Sequence, residues 1–530
     1  MDLITRAMDK KLHICQDTNL MQQTWEVFHK QSKGKKIFLF GTGGGMAYFF
    51  RYCCKHIKIA GIIDNNKEKQ NHKLGWYSPE VFQTEYENIF VKSPDILKNY
   101  DSQDTIILIT SVDYYLPMVE QLKQMMYTNY FVLLMMEANH RKDYPNEIKK
   151  DFFDIREEYI NWCCQQILVN NKIVMRIGEY GGHAKCITNQ LLKSGEDLDI
   201  VWLVHNMDIE SPSGVRLVLE KNWKQYIYEM ETCKIWLFDV NPLEFIRKRK
   251  NQIYIQCKHW SSITLKTFTL DDASTCTSAK IIERFKKDGE RMDYLLSGSE
   301  FDEKSCQSGL GFRGKAVRVG SARSDILFDM SVKEKVFEHF HLKPDIHVLL
   351  YSPTYRDKEF KENHKMTISL DMKGLLDTLE KKWGGDWVLF IRLHPWLDFK
   401  DCGLKETHNI INAGNYPESE ELVAASDVMV TDYSSIMFEE AFLKRPVFLY
   451  APDRNEYIDK ERGLLLKYDE LPFPIAESNE SLRQCILQFD EDEYKEKLTD
   501  FLNYHGICED GHASERAARF IIELLKGISI

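Results

Sequence analysis

Short apolar runs alternate along the chain with longer segments in which apolar residues recur every third or fourth position. Apolar runs of about four to eight residues are typical of buried strands, and the longer periodic segments are typical of amphipathic helices. Strands that alternate with helices predict parallel sheets covered by helices on both faces. The sequence therefore predicts an α/β protein.

Three groups of this kind follow one another, and each predicts a sheet of its own. Residues 1–34 form a polar, helical lead-in, and residues 144–167 have the helical spacing of a link between the first two groups. We place domains at residues 1–145, 146–340 and 341–530. The predicted strands are 36–40, 59–63, 105–110 and 130–135 in the first domain, 172–177, 200–204, 234–238, 252–256, 292–296 and 316–319 in the second, and 348–351, 387–393, 428–430 and 447–449 in the third.

The first domain opens as a small Rossmann-like domain would. Gly41 and Gly43 follow the first predicted strand, and Asp64 ends the second. The two glycines fit the start of the fingerprint G-x-G-x-x-G, but Met46 occupies the third glycine position. Two interpretations stay open: a dinucleotide bound at Gly41, Gly43 and Asp64, or a structural or regulatory domain whose glycines serve tight packing. We favour the second.

The second and third domains predict a GT-B-like pair of doubly wound, Rossmann-like domains. Such a pair encloses a cleft, and a nucleotide ligand would lie there across the carboxyl ends of the strands. Other two-domain α/β enzymes share this arrangement, so the pattern alone does not identify the ligand.

Residues 428–449 are the most informative stretch of the third domain. A predicted strand leads into Thr431, Asp432, Ser434 and Ser435, and a helix follows that Arg445-Pro446 is predicted to end. We expect Asp432 or Ser434 to cap the helix. Hydroxyl groups and the helix dipole both favour an anion at such a turn. The alternative is an ordinary capped helix that binds nothing.

The composition narrows the function classes. The chain has 530 residues and a formal net charge of −11, which argues against a general nucleic-acid binder. Thirteen cysteines without a metal-binding or disulfide spacing suit a reducing compartment. We find no signal peptide and no apolar run of about 18 residues, so we expect a cytoplasmic protein whose membrane contact is peripheral.

Several short motifs in the second half, taken in order, resemble the CDP-glycerol glycerophosphotransferase family, the polymerases and primases of teichoic acids and related capsules. Each motif alone is weak, but their order over roughly residues 170–530 is specific. The first ~140 residues lie outside the resemblance. The segments are 254–259 (YIQCKH), 293–297 (DYLLS) with 320–325 (GSARSD), 351–357 (YSPTYRD), 392–395 (RLHP), 431–435 (TDYSS), 456–457 with 462–463, and 511–516 (GHASER).

The resemblance implies a GT-B fold and transfer of a polyol phosphate, glycerol or ribitol phosphate, from a CDP-polyol to a hydroxyl of a lipid-linked chain, with release of CMP. It implies that His259 is the base for the acceptor hydroxyl. The family usually has Trp-His-Gly here, whereas this chain has Lys258-His259-Trp260, which leaves the local backbone and acceptor preference open. It further implies that His394 faces the donor phosphates. In each case the alternative is a structural histidine.

The remaining implied contacts concern the donor. Ser434 and Ser435 match the family's phosphate-holding turn, which Thr431 and Asp432 shape, with Asp432 expected as a cap and not a catalyst. Arg323 is assigned to the diphosphate, because a guanidinium binds phosphate oxygens in a bidentate manner. Thr354 and Arg356 are predicted to lie beside the cleft, although Arg356 could instead pair with Asp357. Arg392 is predicted to be either a phosphate contact or a buried ion-pair partner. Glu456 and Arg462 are predicted to lie near the ribose or cytosine.

The sequence carries no dedicated metal cluster, and it leaves a role for Mg²⁺ open. The predicted partners are the CDP-polyol, a lipid-linked acceptor at the inner face of the bacterial membrane, and a second copy of the chain or a biosynthetic complex. One alternative is a GT-B glycosyltransferase that uses a nucleotide sugar for cell-envelope polysaccharide. Another is a non-catalytic partner in envelope-polymer assembly.

Overall fold

The structure is a computed structural model that describes residues 4, 7–8, 17–76, 81, 84–144, 152–177, 182–272, 278–356, 366–394, 397, 399–400, 402–460, 463–507 and 509–528. The chain forms two compact units. The first comprises Met1–Gln166 with Leu219–Tyr228, and the second comprises Ile167–Val218 with Glu229–Ile530.

The first unit is built on a five-stranded parallel sheet in the order β3-β2-β1-β4-β5. This doubly wound order confirms the predicted Rossmann-like domain, and its topological switch point lies between β1 and β4. The strands are β1 Lys36–Phe40, β2 Ile59–Ile63, β3 Val91–Lys92, β4 Thr105–Ile109 and β5 Tyr130–Val132. The helices are Thr18–Met21, Trp25–Gln31, Gly44–Tyr52, Tyr115–Gln124, Leu133–Asp143 and Phe152–Gln165, with 3-10 turns at Leu74–Trp76 and Pro94–Asn99.

The predicted strand 130–135 is wrong in its second half. β5 ends at Val132, and the helix Leu133–Asp143 begins at the next residue. Its first four residues, Leu-Leu-Met-Met, are all buried. A fully buried helix turn gives the same continuous apolar pattern as a buried strand, and leucine and methionine favour the helix.

The second unit contains two sheets, and the first of them has seven strands in the order β12-β11-β10-β9-β6-β7-β8. The strands from β12 to β7 pair in parallel. The strands are β6 Val169–Arg176, β7 Asp199–Val204, β8 Val215–Leu219, β9 Cys233–Phe238, β10 Ile253–Gln256, β11 Tyr294–Ser297 and β12 Lys315–Arg318. The helices in this part of the chain are His183–Lys193, Trp223–Thr232, Ala279–Arg291 and Glu300–Gly309, with 3-10 turns at Thr269–Asp271 and Ala322–Phe328.

The other sheet has six parallel strands in the order β15-β14-β13-β16-β17-β18. Its switch point lies between β13 and β16, so the carboxyl ends of these two strands are where a ligand is expected. The strands are β13 His347–Ser352, β14 Trp387–Ile391, β15 Ile410–Asn412, β16 Val428–Thr431, β17 Val447–Tyr450 and β18 Ile475–Ala476. The helices are Ser331–His339, Met372–Trp383, Ser419–Ala425, Ile436–Phe442, Arg454–Lys460, Asn479–Leu487, Glu491–Tyr504 and Ala513–Leu525, with a 3-10 turn at Tyr468–Glu470.

The two sheets of the second unit exchange chain segments. The helix Ala513–Leu525, which follows the six-stranded sheet in sequence, places Ala517 and Phe520 in the core of the seven-stranded sheet. In the opposite direction, Ile263 and Leu265 follow β10 and lie in the core of the six-stranded sheet. The strands of the two sheets lie on either side of residue 340 in the sequence. Each hydrophobic core, however, also contains residues from the other side of that boundary.

The helix after β16 is shorter than predicted. It ends at Phe442, with Leu443 as its C-cap, and Lys444 then takes a positive φ of 56°. Arg445 and Pro446 therefore lie beyond the helix, and β17 begins at Val447. Within the described residues, no helix has both the length and the apolar character needed to cross a membrane.

Candidate active site

His259 lies on a tightly held loop at the carboxyl end of β10. Lys258, immediately before it, is buried with φ 52° and pairs with Asp302 at 2.9 Å, both side chains being fully buried. Trp260, immediately after it, donates through Nε1 to Asp302 Oδ1 at 3.1 Å. Asp302 therefore holds the loop on both sides of the exposed His259. The two residues by which this chain departs from the family pattern together bind one buried carboxylate.

Two further groups support this loop, and no sequence motif indicated a role for either of them. His183 Nε2 lies 3.0 Å from the Trp260 carbonyl oxygen. Burial lowers the pKa of His183 well below its ordinary value, so the imidazole is neutral and donates through Nε2–H. Glu509 accepts hydrogen bonds from Ser262 Oγ and from the Ser321 main-chain N–H at 3.1 Å. Burial raises the pKa of Glu509 to about 7.

Thr431 and Asp432 hold the turn after β16 to its neighbour β13. Thr431 is fully buried, and its hydroxyl donates to the Ser352 carbonyl oxygen at 2.6 Å. Asp432 accepts from the main-chain N–H groups of Thr354 at 2.8 Å and Tyr433 at 2.5 Å. The carboxylate of Asp432 therefore fixes two loops at the switch point.

The predicted helix cap is absent at Asp432. The helix begins at Ile436, and Ser435 occupies the N-cap position without a side-chain capping hydrogen bond. Ser434 Oγ lies 3.5 Å from the Ile436 N–H, which is long for a cap. The local residue types are those of a cap, but the β13 loop is a stronger partner for the Asp432 carboxylate.

Arg356 is an ion-pair residue of this turn. Its guanidinium pairs with Asp432 at 2.9 Å and with Asp453 at 2.7 Å. It also lies over the rings of Tyr433 and Tyr457, at 5.0 Å and 4.9 Å from their centroids. These two carboxylates raise the pKa of Arg356 further above its ordinary value. The predicted alternative was an ion pair with Asp357, which lies outside the described residues, so that pairing stays a prediction.

Ser435 joins the two sheets of the second unit. Its hydroxyl is 2.9 Å from Thr264 Oγ1, and it accepts from the Leu265 main-chain N–H at 3.1 Å. The same segment continues the contact, because Thr267 N–H donates to the Gly463 carbonyl oxygen at 2.9 Å. The hydroxyl predicted to bind phosphate is therefore already used to hold the segment that follows His259.

A pocket of about 340 Å³ lies between this segment and the turn after β16. Four of the predicted residues line it: His259, Arg323, Ser434 and Ser435. The remaining lining residues are Trp260, Ser261, Thr264, Lys266, Thr267, Phe268, Ile436 and Glu439. The structure thus brings together the exposed imidazole, the hydroxyl groups of the turn and a guanidinium.

Arg323 differs from its predicted role as a diphosphate ligand. Its guanidinium pairs with Glu420 and Glu439, the latter at 3.2 Å, and donates to the His259 carbonyl oxygen at 2.8 Å. Both glutamates are buried, so their charges need this cation. The contacts of Arg323 hold the His259 loop against the helices Ser419–Ala425 and Ile436–Phe442.

His394, Arg392 and Thr354 do not line this pocket. His394 is half-buried, and its ring packs against Tyr355 at 5.0 Å. Arg392 is buried, and its Nη1 donates to the carbonyl oxygens of Ala413 at 2.9 Å and Gly414 at 2.8 Å. The sequence predicted Arg392 as a phosphate contact or as a buried ion-pair partner, and neither prediction included these hydrogen bonds to a main-chain loop. Thr354 is buried, and among the described residues its hydroxyl has no hydrogen-bond partner.

In the first unit, the Asp64 carboxylate forms hydrogen bonds with the glycine-rich turn itself. Gly41 has a φ of +105°, which favours glycine, and Gly43 is the N-cap of the helix Gly44–Tyr52. Asp64 accepts from the Thr42 N–H at 2.7 Å and from the Thr42 hydroxyl at 2.5 Å. In a dinucleotide site this carboxylate would bind a ribose. A structural or regulatory role for the unit stays our prediction.

The other predicted groups give little further information. Glu456 is exposed on the helix Arg454–Lys460, and Arg462 and Pro395 lie outside the described residues. Within the described part of the chain, no three His, Cys, Asp or Glu side chains are grouped as metal ligands would be. A contribution from Mg²⁺ stays an open prediction.

The profile of the CDP-glycerol:poly(glycerophosphate) glycerophosphotransferase family matches residues 161–523, more than half of the chain. The chain belongs to this family. The matched residues carry both sheets of the second unit, together with the pocket and His394, so the predicted resemblance is confirmed.

Individual members of the family are similar to this chain at moderate identity. A teichoic acid poly(glycerol phosphate) polymerase of Staphylococcus epidermidis is 28% identical over 63% of this chain and 48% of its own length. A teichoic acid ribitol-phosphate primase of Bacillus spizizenii is 28% identical over 56% of this chain and 77% of its own length. The chain therefore spans about half of the first relative and most of the second.

A solved structure confirms the fold. The structure of the wall teichoic acid polymerase TagF is 25% identical and has a TM-score of 0.62, over 70% of this chain and 94% of the solved chain. This glycerophosphotransferase family member thus has the predicted GT-B-like pair of Rossmann-like domains, and it carries an additional Rossmann-like unit before the matched region.

Proposed function

We propose that the chain transfers glycerol phosphate or ribitol phosphate from a CDP-polyol to a terminal hydroxyl of a polyol-phosphate chain and releases CMP. The observation that carries the proposal is the pocket that places the exposed His259 opposite Ser434 and Ser435. A poly(glycerol phosphate) polymerase and a ribitol-phosphate primase are each 28% identical to this chain, so the proposed donor is given as a class, the CDP-polyols.

In the proposed reaction an acceptor hydroxyl attacks the phosphorus atom that carries the polyol. A new P–O bond forms, and the bond from that phosphorus to the bridging oxygen of the diphosphate breaks. The acceptor proton passes to His259, and CMP leaves with the electron pair of the broken bond. Phosphoryl transfer of this kind depends mainly on positioning and on charge stabilisation. The firmly held loop around His259 suits the first requirement, because Asp302 fixes both of its flanks.

The donor phosphates are assigned to the carboxyl ends of β13 and β16. Ser434 lines the pocket there, and the first main-chain N–H groups of the helix Ile436–Phe442 follow it. His394, after β14, is the proposed acid or charge-stabilising group for the leaving CMP. Its support is its place beside Tyr355, which follows β13 in the adjacent loop.

A direct assay tests the proposal. The purified chain is incubated with a polyol-phosphate acceptor and with CDP-glycerol, CDP-ribitol or a UDP-sugar, and nucleotide release is measured. We expect acceptor-dependent CMP release from at least one CDP-polyol and no UDP release. Release of UDP from a sugar donor, or no release from any donor, would overturn the proposal.

The proposed acceptor is lipid-linked, and we propose a basic surface of the second unit for the membrane contact. The helix Ala279–Arg291 exposes Lys280, Arg284, Lys286 and Lys287. Arg291 donates to the Ile246 carbonyl oxygen at 2.8 Å and so joins this helix to the basic segment 247–250. Adjacent basic side chains attract anionic lipid headgroups.

Vesicle flotation tests this surface. We expect the chain to bind vesicles rich in phosphatidylglycerol and not vesicles of phosphatidylcholine alone. Replacing Lys286 and Lys287 by Glu should abolish the binding, and added salt should weaken it. Equal binding of the charge-reversal variant would locate the contact elsewhere.

A further inference from the structure

The inner wall of the His259 pocket carries hydrogen-bonding groups that the protein itself does not use. Ser261 is 1% exposed and Glu439 is 3% exposed, and both line the pocket. Among the described residues, Ser261 Oγ and Glu439 Oε2 have no hydrogen-bond partner. Buried polar atoms are nearly always paired, so two unpaired oxygens beside one pocket indicate a ligand that supplies the missing partners.

A third unpaired group belongs to the same wall. The Nε atom of Arg323 is buried and has no hydrogen-bond partner in the described part of the chain, although the other nitrogens of this guanidinium bind Glu420, Glu439 and the His259 carbonyl oxygen. The wall therefore offers an N–H donor, a carboxylate acceptor and a hydroxyl that both donates and accepts.

This set of groups suits neutral hydroxyl groups better than a phosphate. A phosphate oxygen only accepts hydrogen bonds at neutral pH, and a carboxylate beside it would repel it. A hydroxyl group donates to the carboxylate and accepts from the guanidinium or from serine. Several hydroxyl groups on adjacent carbons, as in glycerol or ribitol, satisfy all three groups at once.

We propose that Ser261, Glu439 and Arg323 Nε form the subsite that binds the hydroxyl groups of the donor's polyol. This proposal rests on the proposed transfer from a CDP-polyol and adds the residues that recognise the transferred group. Two other lining residues indicate what would lie next to the bound polyol. The phosphate bonded to the polyol would lie at Ser434, and the acceptor hydroxyl would approach from the side of the exposed His259.

The subsite fits the donor's polyol better than it fits the acceptor. The acceptor must reach His259, whose side chain is exposed, and the rest of a long chain must continue into solvent. The donor's polyol is a small group attached through a single phosphate. Buried groups such as Ser261 and Glu439 are therefore accessible to it once that phosphate lies at Ser434.

Calorimetric binding to the full chain tests the subsite separately from catalysis. CDP-glycerol, CDP-ribitol and CDP are titrated into the wild type, Ser261→Ala and Glu439→Gln in the absence of acceptor. CDP has the same nucleotide and diphosphate but no polyol. We expect the wild type to bind at least one CDP-polyol more tightly than CDP. Each variant should lose about tenfold of that preference and bind CDP as the wild type does.

Glu440→Gln is the matched control. Glu440 is the next residue on the same helix and is fully buried, and its Oε1 also has no hydrogen-bond partner among the residues that the structure describes, but it does not line the pocket. Burial raises the pKa of Glu440 to about 8, so the glutamine preserves its neutral state at pH 7. This variant should keep the full preference for the CDP-polyol.

Each other outcome is informative. An unchanged preference for the CDP-polyol in both variants would overturn the subsite. Equal weakening of CDP and CDP-polyol would assign these residues to the phosphates and would also overturn it. Since Ser261→Ala removes only a hydroxyl that has no partner among the described residues, this variant should have the same thermal stability as the wild type. If Glu439→Gln fails to fold, the binding measured with Ser261→Ala still tests the subsite. A wild type that binds none of the cytidine compounds would overturn the proposed function itself.

Discussion

Ser435 and Thr264 share a hydrogen bond of 2.9 Å between their hydroxyl groups, and this bond joins the turn after β16 to the segment that follows His259. The neighbouring Ser434 lines the same pocket without such a contact. The two adjacent serines therefore have different predicted roles, a structural one for Ser435 and a ligand-binding one for Ser434. Separate substitutions can distinguish these roles.

We expect Ser434→Ala to raise KM for the CDP-polyol about tenfold with little change in Tm, because it removes the proposed hydrogen bond to the phosphate of the CDP-polyol. Ser435→Ala should instead lower the free energy of unfolding by about 1–2 kcal/mol, because it removes two hydrogen bonds between the sheets. Steady-state kinetics and thermal denaturation measure the two effects. Equal KM values for the two variants would contradict this division.

His259→Ala and His394→Ala should each lower kcat for CMP release by about 10²- to 10⁴-fold, the usual contribution of a general acid or base. The matched control is His408→Ala, because His408 is exposed and does not line the pocket. Circular dichroism and Tm should be unchanged in all three variants. Wild-type turnover in either of the first two would remove that histidine from the proposed mechanism.

Arg323→Gln should lower kcat, because Arg323 holds the His259 loop and pairs with two glutamates, and should leave the affinity for CDP within about twofold, because its proposed ligand contact is with the polyol. Arg318→Gln is the control, since Arg318 forms an exposed ion pair with Glu303. If Arg323 is a diphosphate ligand as the family resemblance implies, the affinity for CDP will instead fall at least about tenfold.

Glu509 should make the stability of the chain depend on pH. Its folded pKa of about 7 lies above its ordinary value of 4.5, so the folded chain binds the proton more tightly than the unfolded chain. Stability from this group is therefore full below pH 4.5 and is lost as the pH rises through about 7.

Tm measured at pH 5 and pH 8 tests this dependence. Glu509→Gln should reduce the loss of stability over that interval by about 2 kcal/mol, because the amide has no charge to bury. Glu515→Gln, an exposed change nearby, should behave as the wild type. An identical pH dependence in Glu509→Gln would show that another group titrates.

The glycine-rich turn of the first unit is predicted to be separate from the transfer chemistry. A Cβ atom at Gly43 would meet no atom within 4 Å, so Gly43→Asp should fold and retain wild-type CMP release. Gly45→Ala should destabilise the first unit, because its Cβ would lie 1.9 Å from the Thr110 carbonyl oxygen. Loss of transfer in a normally folded Gly43→Asp would contradict the separation.

The sequence predicted much of the fold because buried parallel strands leave continuous apolar runs. β1, β2 and β10 lie within about one residue of their predicted positions. Polar motifs that follow such strands meet at the carboxyl edge of a sheet, so the proximity of Ser434 to the switch point was also predictable. The short edge strands β3 and β18 have two residues each and leave too little pattern to detect.

The partners of the site residues were not predictable in the same way. Ser435 and Thr264 are 171 positions apart, and Arg323 and Glu420 are 97 apart. A short motif shows which side-chain chemistry is present but not which distant group uses it. For this reason Arg323 and Ser435 resembled free phosphate ligands, whereas the fold gives each of them a structural partner.

Besides the excursion of Ile263 and Leu265 into the core of the six-stranded sheet, the polypeptide passes between the two sheets of the second unit before β13 and again after the helix Glu491–Tyr504, because the helix Ala513–Leu525 packs on the seven-stranded sheet. A body attached at two points cannot swing as freely as one attached by a single linker. Opening of the pocket to admit a donor is therefore more restricted than it would be with a single linker, and cutting the chain after the helix Glu491–Tyr504 would remove one of these two restraints.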